Sequence, residues 1–184
     1  MRSEYHTESG AIDGILQKFL RWNLEDATRF VSESDIVQIE PLPAPRGCAP
    51  DHYIAEFACK GLVKEGSEIR VGDRFRVGIA FSRDYLVAPP NVARMLTVLT
   101  PNIWHPNVAE IAPLVCIGNI TPGMTLVDLL YQLYELLSWQ KISTHDALNP
   151  AAAEWARQPE NRAMYPVDNR PLKRRTVVDK VGAA

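Results

Sequence analysis

The stretch "LVDLLYQLYELLSW", residues 126–139, constrains the fold more than any other. Leu126, Leu129, Leu130, Leu133, Leu136 and Leu137 cover most of the circumference of a helix and leave Asp128, Gln132 and Glu135 as a narrow polar stripe. An ordinary surface helix buries one apolar face. This one needs apolar neighbours on most sides, so it is expected to lie buried across a sheet. Thr125 with Asp128 three residues on forms a capping box at its start. It is too short and too polar to span a bilayer.

The sheet is legible upstream. "DIVQIEP", "DHYIAEFACKGLV", "DRFRVGIAFS" and "NVARMLTVLT" each have strand character. In the third, Phe75, Val77, Ile79 and Phe81 alternate with Arg74, Arg76, Gly78 and Ala80, the period of a strand with one buried face. Gly66 and Gly72-Asp73 mark turns, and short connections imply an antiparallel meander. Ahead of the strands, "AIDGILQKFLRWNLEDATRFV" places Ile12, Ile15, Leu16, Phe19 and Leu20 on one helical face, with Lys18 and Arg21 largely off it. After the apolar helix, "LNPAAAEWARQ" starts another, with Asn149 as cap and Pro150 at the first helical position. The expected class is α+β: an N-terminal helix, a four-stranded antiparallel meander, a central buried helix and C-terminal helices. One domain over residues 1–165 and a basic tail over 166–184 are expected, without repeats or low-complexity blocks.

The 184 residues carry a net charge of −2, which removes the electrostatic case for nucleic acid. The polar start "MRSEYHTESG" has no signal-peptide core. Cys48, Cys59 and Cys116 lack metal-ligand spacing, and their odd number argues against a disulfide framework. No metal or organic cofactor is implied, and a reducing cytoplasm is the simplest setting.

Between the strands and the central helix, roughly residues 100–123, lies an irregular stretch rich in proline and asparagine. It contains "IWHPNVAEIAPLVCIG", a His-Pro-Asn turn followed by Cys116 in apolar surroundings. A cysteine in such a context is most often a small buried hydrophobe. The turn before it and the helix after it shift the reading of Cys116 toward a nucleophile.

These pieces, in this order, resemble the ubiquitin-conjugating enzyme family over roughly residues 11–160. "FSRDYLVAPPNV" is similar to the family's stretch from the third strand through a tyrosine to a double proline. "IWHPNV" matches its His-Pro-Asn signature, Cys116 falls where the family has its thioester-forming cysteine, and "DALNPAAAEWA" resembles the segment in which an aspartate precedes a helix. The chain departs from the pattern in places. His105 and Cys116 stand one residue further apart than is usual, the segment from Pro90 to His105 is longer, Val115 follows Leu114 where a glycine turn is usual, and "NITPGMTL" replaces the usual tryptophan segment. The resemblance is to a divergent member of the prokaryotic branch, which serves ubiquitin-like conjugation linked to antiviral defence.

The resemblance implies a transferase that receives a ubiquitin-like modifier from an activating enzyme as a thioester on Cys116 and passes it to an amine, with lysine the expected acceptor on a target protein. A ligase is possible but not required. Exchange between thioesters is close to isoenergetic and needs no dedicated base, and a strongly acidified thiol is a weaker nucleophile. Asn107 is expected either to stabilise the oxyanion or to brace the loop, His105 to lock the turn within the catalytic set, and Asp146 to orient the incoming amine. Lys18 and Arg21 are weak candidates for contact with the activating enzyme. Tyr85, Leu86 and Val87 would either meet a partner or pack internally. Two other functions stay open: a non-catalytic scaffold of the same fold that binds ubiquitin-like proteins, and a cysteine peptidase or acyltransferase using Cys116 with His145 and Asp146. The last would need the His145 ring within hydrogen-bond reach of the thiol.

Overall fold

The computed structural model describes residues 5–88, 90–166 and 168–173, with side chains described from residue 14 onward except that of Arg162. Helix α1 spans Tyr5–Ser32. Strands β1 Val37–Pro41, β2 His52–Phe57, β3 Gly61–Glu65, β4 Glu68–Gly72 and β5 Phe75–Ala80 follow. A helical turn α2 Val92–Met95 leads into β6 Leu96–Val98. Helices α3 Leu126–Leu137 and α4 Pro150–Arg157 come next, and a 3₁₀ segment Pro159–Met164 follows α4.

The α+β class, the N-terminal helix and the four-stranded antiparallel sheet are as the sequence reads. The sheet has the order β1-β2-β5-β6, all neighbours antiparallel. Phe75, Val77 and Ile79 point into the core and their neighbours do not. α3 is buried through Leu126, Leu129, Leu130, Leu133, Tyr134, Leu136 and Leu137. Its capping box forms in both directions, and α1 adds a tie, because the buried Asn23 side chain accepts the Leu126 N–H at 2.9 Å.

Three local readings change. "DHYIAEFACKGLV" is not one strand: it breaks at Ala58–Lys60 into β2 and β3, and β3 pairs with β4 as a separate two-stranded sheet. Gly61 makes this possible, since a Cβ there would lie 2.6 Å from the Leu137 carbonyl and from the Phe75 ring. "NVARMLTVLT" begins as a helical turn capped by Asn91 before the three-residue strand β6. On α1, Leu16 and Leu20 are buried but Ile15 is 61% exposed, and the Ile12 side chain lies outside the described residues.

The tail expected from residue 166 is tied to the domain as far as it is described. Leu172 is buried and Asp168 is 6% exposed. The Tyr134 hydroxyl donates to the carbonyls of Asp168 and Arg170, the Lys60 N–H donates to the Asp168 carboxylate, and the Arg170 guanidinium bridges Asp168 and the Ala58 carbonyl. The rest of the basic tail, from residue 174, lies outside the described residues. No helix among the described residues is long and apolar enough to cross a membrane.

Candidate active site

The separate β3–β4 hairpin positions the site. Trp104 N–H donates to the Leu62 carbonyl and Lys64 N–H to the Asn102 carbonyl, each at 2.8 Å, with Val63 bridging Ile103. This fixes the chain entering the His-Pro-Asn turn. Within the turn, Asn107 N–H donates to His105 Nδ1 at 3.0 Å and Val108 N–H to the His105 carbonyl. His105 is 1% exposed and its ring stands edge-on to Trp139, with centroids 5.0 Å apart. Burial pushes its pKa down to about 3, an effect that the Lys141 backbone only partly offsets. A buried, neutral imidazole whose Nδ1 accepts from a main-chain N–H is suited to wedging the turn. Through Nδ1 the ring ties the two ends of the turn together.

The stretch read as irregular contains a small hairpin. Val108 bridges Val115, Ala109 N–H donates to the Leu114 carbonyl, and Cys116 N–H donates to the Asn107 carbonyl at 2.8 Å. Val108 and Val115 are buried; Asn107 and Cys116, one position further along each strand, lie on the opposite face. At the tip of this hairpin Ile111 is 99% exposed, and Val98 N–H donates to the Pro113 carbonyl.

Asn107 is 8% exposed, and its side-chain oxygen accepts the Ser143 N–H at 3.0 Å. That bond fixes the amide's orientation and leaves Nδ2 with no acceptor among the described residues. Cys116 is exposed, and among the described residues no hydrogen bond joins its thiol to the His145 ring.

The segment carrying Asp146 is pinned to the turn at both ends. Ser143 holds the Asn107 side chain, and Asn149 N–H donates to the Pro106 carbonyl at 3.0 Å before Asn149 caps α4. Between these pins Asp146 is exposed and adopts φ 52°, a left-handed conformation that aspartate and asparagine tolerate better than most residues.

The remaining site residues divide. Tyr85 is fully buried, and its hydroxyl donates to the Met124 carbonyl at 2.6 Å, so it packs internally. Leu86 is half-buried against the core and Val87 is 65% exposed. Lys18 and Arg21 are exposed on α1, near Ile15 and the 49% exposed Trp22. Cys59 is buried, with its thiol pushed up to about 12 by burial and then by Asp168. Sequence reasoning missed Lys141, whose ammonium donates to the Ile117 carbonyl at 2.8 Å. Among the described residues, no group of three or more His, Cys, Asp or Glu is placed to hold a metal ion.

No family model matches the chain, and no curated protein matches it by sequence. Among solved structures, the chain is similar to the E2 domain of a ubiquitin-conjugating enzyme from Toxoplasma gondii, with 21% identity, a TM-score of 0.48, and coverage of 76% of this chain and 91% of that one.

Proposed function

We propose that this chain is a conjugating enzyme that takes a ubiquitin-like protein from an activating enzyme as a thioester on Cys116 and transfers it to an amine, with lysine the expected acceptor. One observation carries the reading: an exposed thiol, with no imidazole partner among the described residues, sits across a hairpin from a braced asparagine whose amide N–H₂ is uncommitted among those residues. In the first step the Cys116 thiolate attacks the modifier's thioester carbonyl and the activating enzyme's thiolate leaves. In the second, the amine attacks, negative charge collects on the carbonyl oxygen, and collapse expels the Cys116 thiolate while the amine's proton passes to solvent. Asn107 serves both steps: its side-chain oxygen braces the loop and its Nδ2 donates to the oxyanion.

Ile15, Lys18 and Trp22 recur at helical spacing on an exposed side of α1, flanked by Arg21, which suits docking by the activating enzyme. Val87 is the exposed member of the other candidate contact. The sequence resemblance supports a prokaryotic setting in antiviral defence, and the odd number of cysteines supports a reducing cytoplasm. The exposed cysteine speaks against a non-catalytic scaffold, and the lack of a thiol–imidazole bond among the described residues speaks against a peptidase.

Partition of a preformed Cys116 thioester between lysine and water tests the reading. A conjugating enzyme discharges mainly to lysine at millimolar amine. Rapid hydrolysis that ignores added lysine would identify a hydrolase instead.

A further inference from the structure

One short segment grips both strands of the thiol-bearing hairpin. Ser143 N–H holds the Asn107 side chain on the first strand, and two residues earlier the Lys141 ammonium holds the Ile117 carbonyl immediately beyond Cys116 on the second. The segment is itself anchored, because Lys141 N–H donates to the Glu135 carbonyl at the end of α3. The chain then turns at Gly118 with φ 102°, where a Cβ would stand 3.6 Å from the Lys141 nitrogen.

The Ile117–Gly118 peptide is trans, so its N–H faces away from its carbonyl. With that carbonyl committed to Lys141, the Gly118 N–H is turned the other way, and among the described residues no acceptor takes it. Resting on the conjugating function above, we infer that Lys141 is a positioning residue: it orients the Ile117–Gly118 peptide beside the thiol so that the Gly118 N–H, together with Asn107 Nδ2, receives the negative charge that develops on the thioester carbonyl oxygen.

The chemistry separates this role from simple support of the fold. Acyl exchange onto Cys116 forms one C–S bond, breaks another and passes through an oxyanion. Alkylation of the same thiol by iodoacetamide forms a C–S bond, releases iodide and creates no oxyanion. The test uses the full chain with Cys48→Ser, which leaves Cys116 as the exposed cysteine because Cys59 is buried. The acyl donor is the 2-mercaptoethanesulfonate thioester of acetyl-Gly-Gly, and products are mapped by mass spectrometry.

Lys141→Met should slow acylation of Cys116 by about tenfold, less than a dedicated oxyanion donor costs because the group acts indirectly. Alkylation should stay within about twofold of the parent rate. Lys141→Arg, which can still donate to the Ile117 carbonyl, should restore most of the acylation. Equal loss of acylation and alkylation, unchanged acylation, or a loss that arginine does not rescue overturns the inference. Addition of lysine to the acylated parent judges the underlying function separately. A parent that acylates but holds its acyl group against lysine sinks the conjugating reading, while the acylation rates still decide the role of Lys141. A parent that fails to acylate sinks both.

Discussion

Asn107 and Cys116 are cross-strand neighbours: the Cys116 N–H donates to the Asn107 carbonyl at 2.8 Å, and both side chains lie on the face opposite the buried Val108–Val115 pair. The proposed nucleophile and the proposed amide donor are thus set by one hairpin register. A slip of one residue would exchange Cys116 for a buried aliphatic residue.

The two roles proposed for Asn107 are separable by substitution. Asn107→Asp keeps an oxygen for the Ser143 N–H but loses the N–H₂ donor. It should melt close to the parent yet discharge to lysine roughly 10²- to 10³-fold more slowly. Asn107→Ala loses both and should also cost about 1–3 kcal/mol of stability, because the Ser143 N–H loses its acceptor. Thermal melts beside single-turnover discharge check this. Normal discharge in Asn107→Asp would leave the residue as a brace alone.

Asp146 sits at φ 52° in a loop pinned at Ser143 and Asn149. Asp146→Asn should keep the fold, since asparagine tolerates that conformation, whereas Asp146→Ala should lose about 1 kcal/mol to strain. Both should charge at near-parent rates and discharge slowly. Raising the pH should partly restore discharge by supplying neutral amine, because lysine titrates near 10.4. Equal loss of charging and discharge in Asp146→Asn would assign the residue to loop shape.

His105 gives the fold a defined acid sensitivity. Its folded pKa of about 3 lies below the value near 6.5 expected when the chain unfolds. The unfolded state therefore binds the extra proton first, and the native state loses stability as pH falls from about 6.5 toward 3. Asp168 is held down to about 2, chiefly by its hydrogen bonds to the Arg170 side chain, and its contribution disappears only as pH falls from about 4 toward 2. Urea midpoints at pH 7, 5 and 4 should decline for the parent. His105→Gln, which retains a possible acceptor for the Asn107 N–H, should be less stable at pH 7 and flatter across this range. Parallel curves for the two proteins would contradict the buried neutral ring.

The domain boundary is testable at Leu172. It is buried, its carbonyl accepts from Ser34, and the preceding Asp168 and Arg170 tie Ala58, Lys60 and Tyr134 together. Leu172→Ala should cost about 2–5 kcal/mol, as truncation of a buried leucine does. An unchanged urea midpoint would support the expected tail boundary at residue 166.

The sequence made α3 legible because its near-continuous leucines admit one solution, and it showed the four main strands because Phe75, Val77 and Ile79 alternate cleanly. The β3–β4 hairpin escaped because its break depends on Gly61 meeting the distant Leu137 carbonyl and Phe75 ring. Ile69 and Val71, alternating with Glu68 and Arg70, were the available sign of β4. At the site, Cys116, Asn107 and Asp146 were visible as motif positions. The hairpin joining the first two was not, since Val108 and Val115 are a short pair inside a proline-rich stretch. Lys141 left no local signal: it lies 24 residues from the carbonyl it holds.

The central claim is that Cys116 carries an acyl group as a thioester. The most direct measurement is charging in the presence of ATP, the activating enzyme and the modifier, with the adduct resolved with and without reductant and mapped by mass. A reductant-sensitive adduct on Cys116 is expected in the parent, in Cys48→Ser and in Cys59→Ser. None is expected in Cys116→Ala, and in Cys116→Ser a reductant-resistant ester or no adduct, because a hydroxyl is the poorer nucleophile near neutral pH. A reductant-sensitive adduct that persists in Cys116→Ala would contradict the claim.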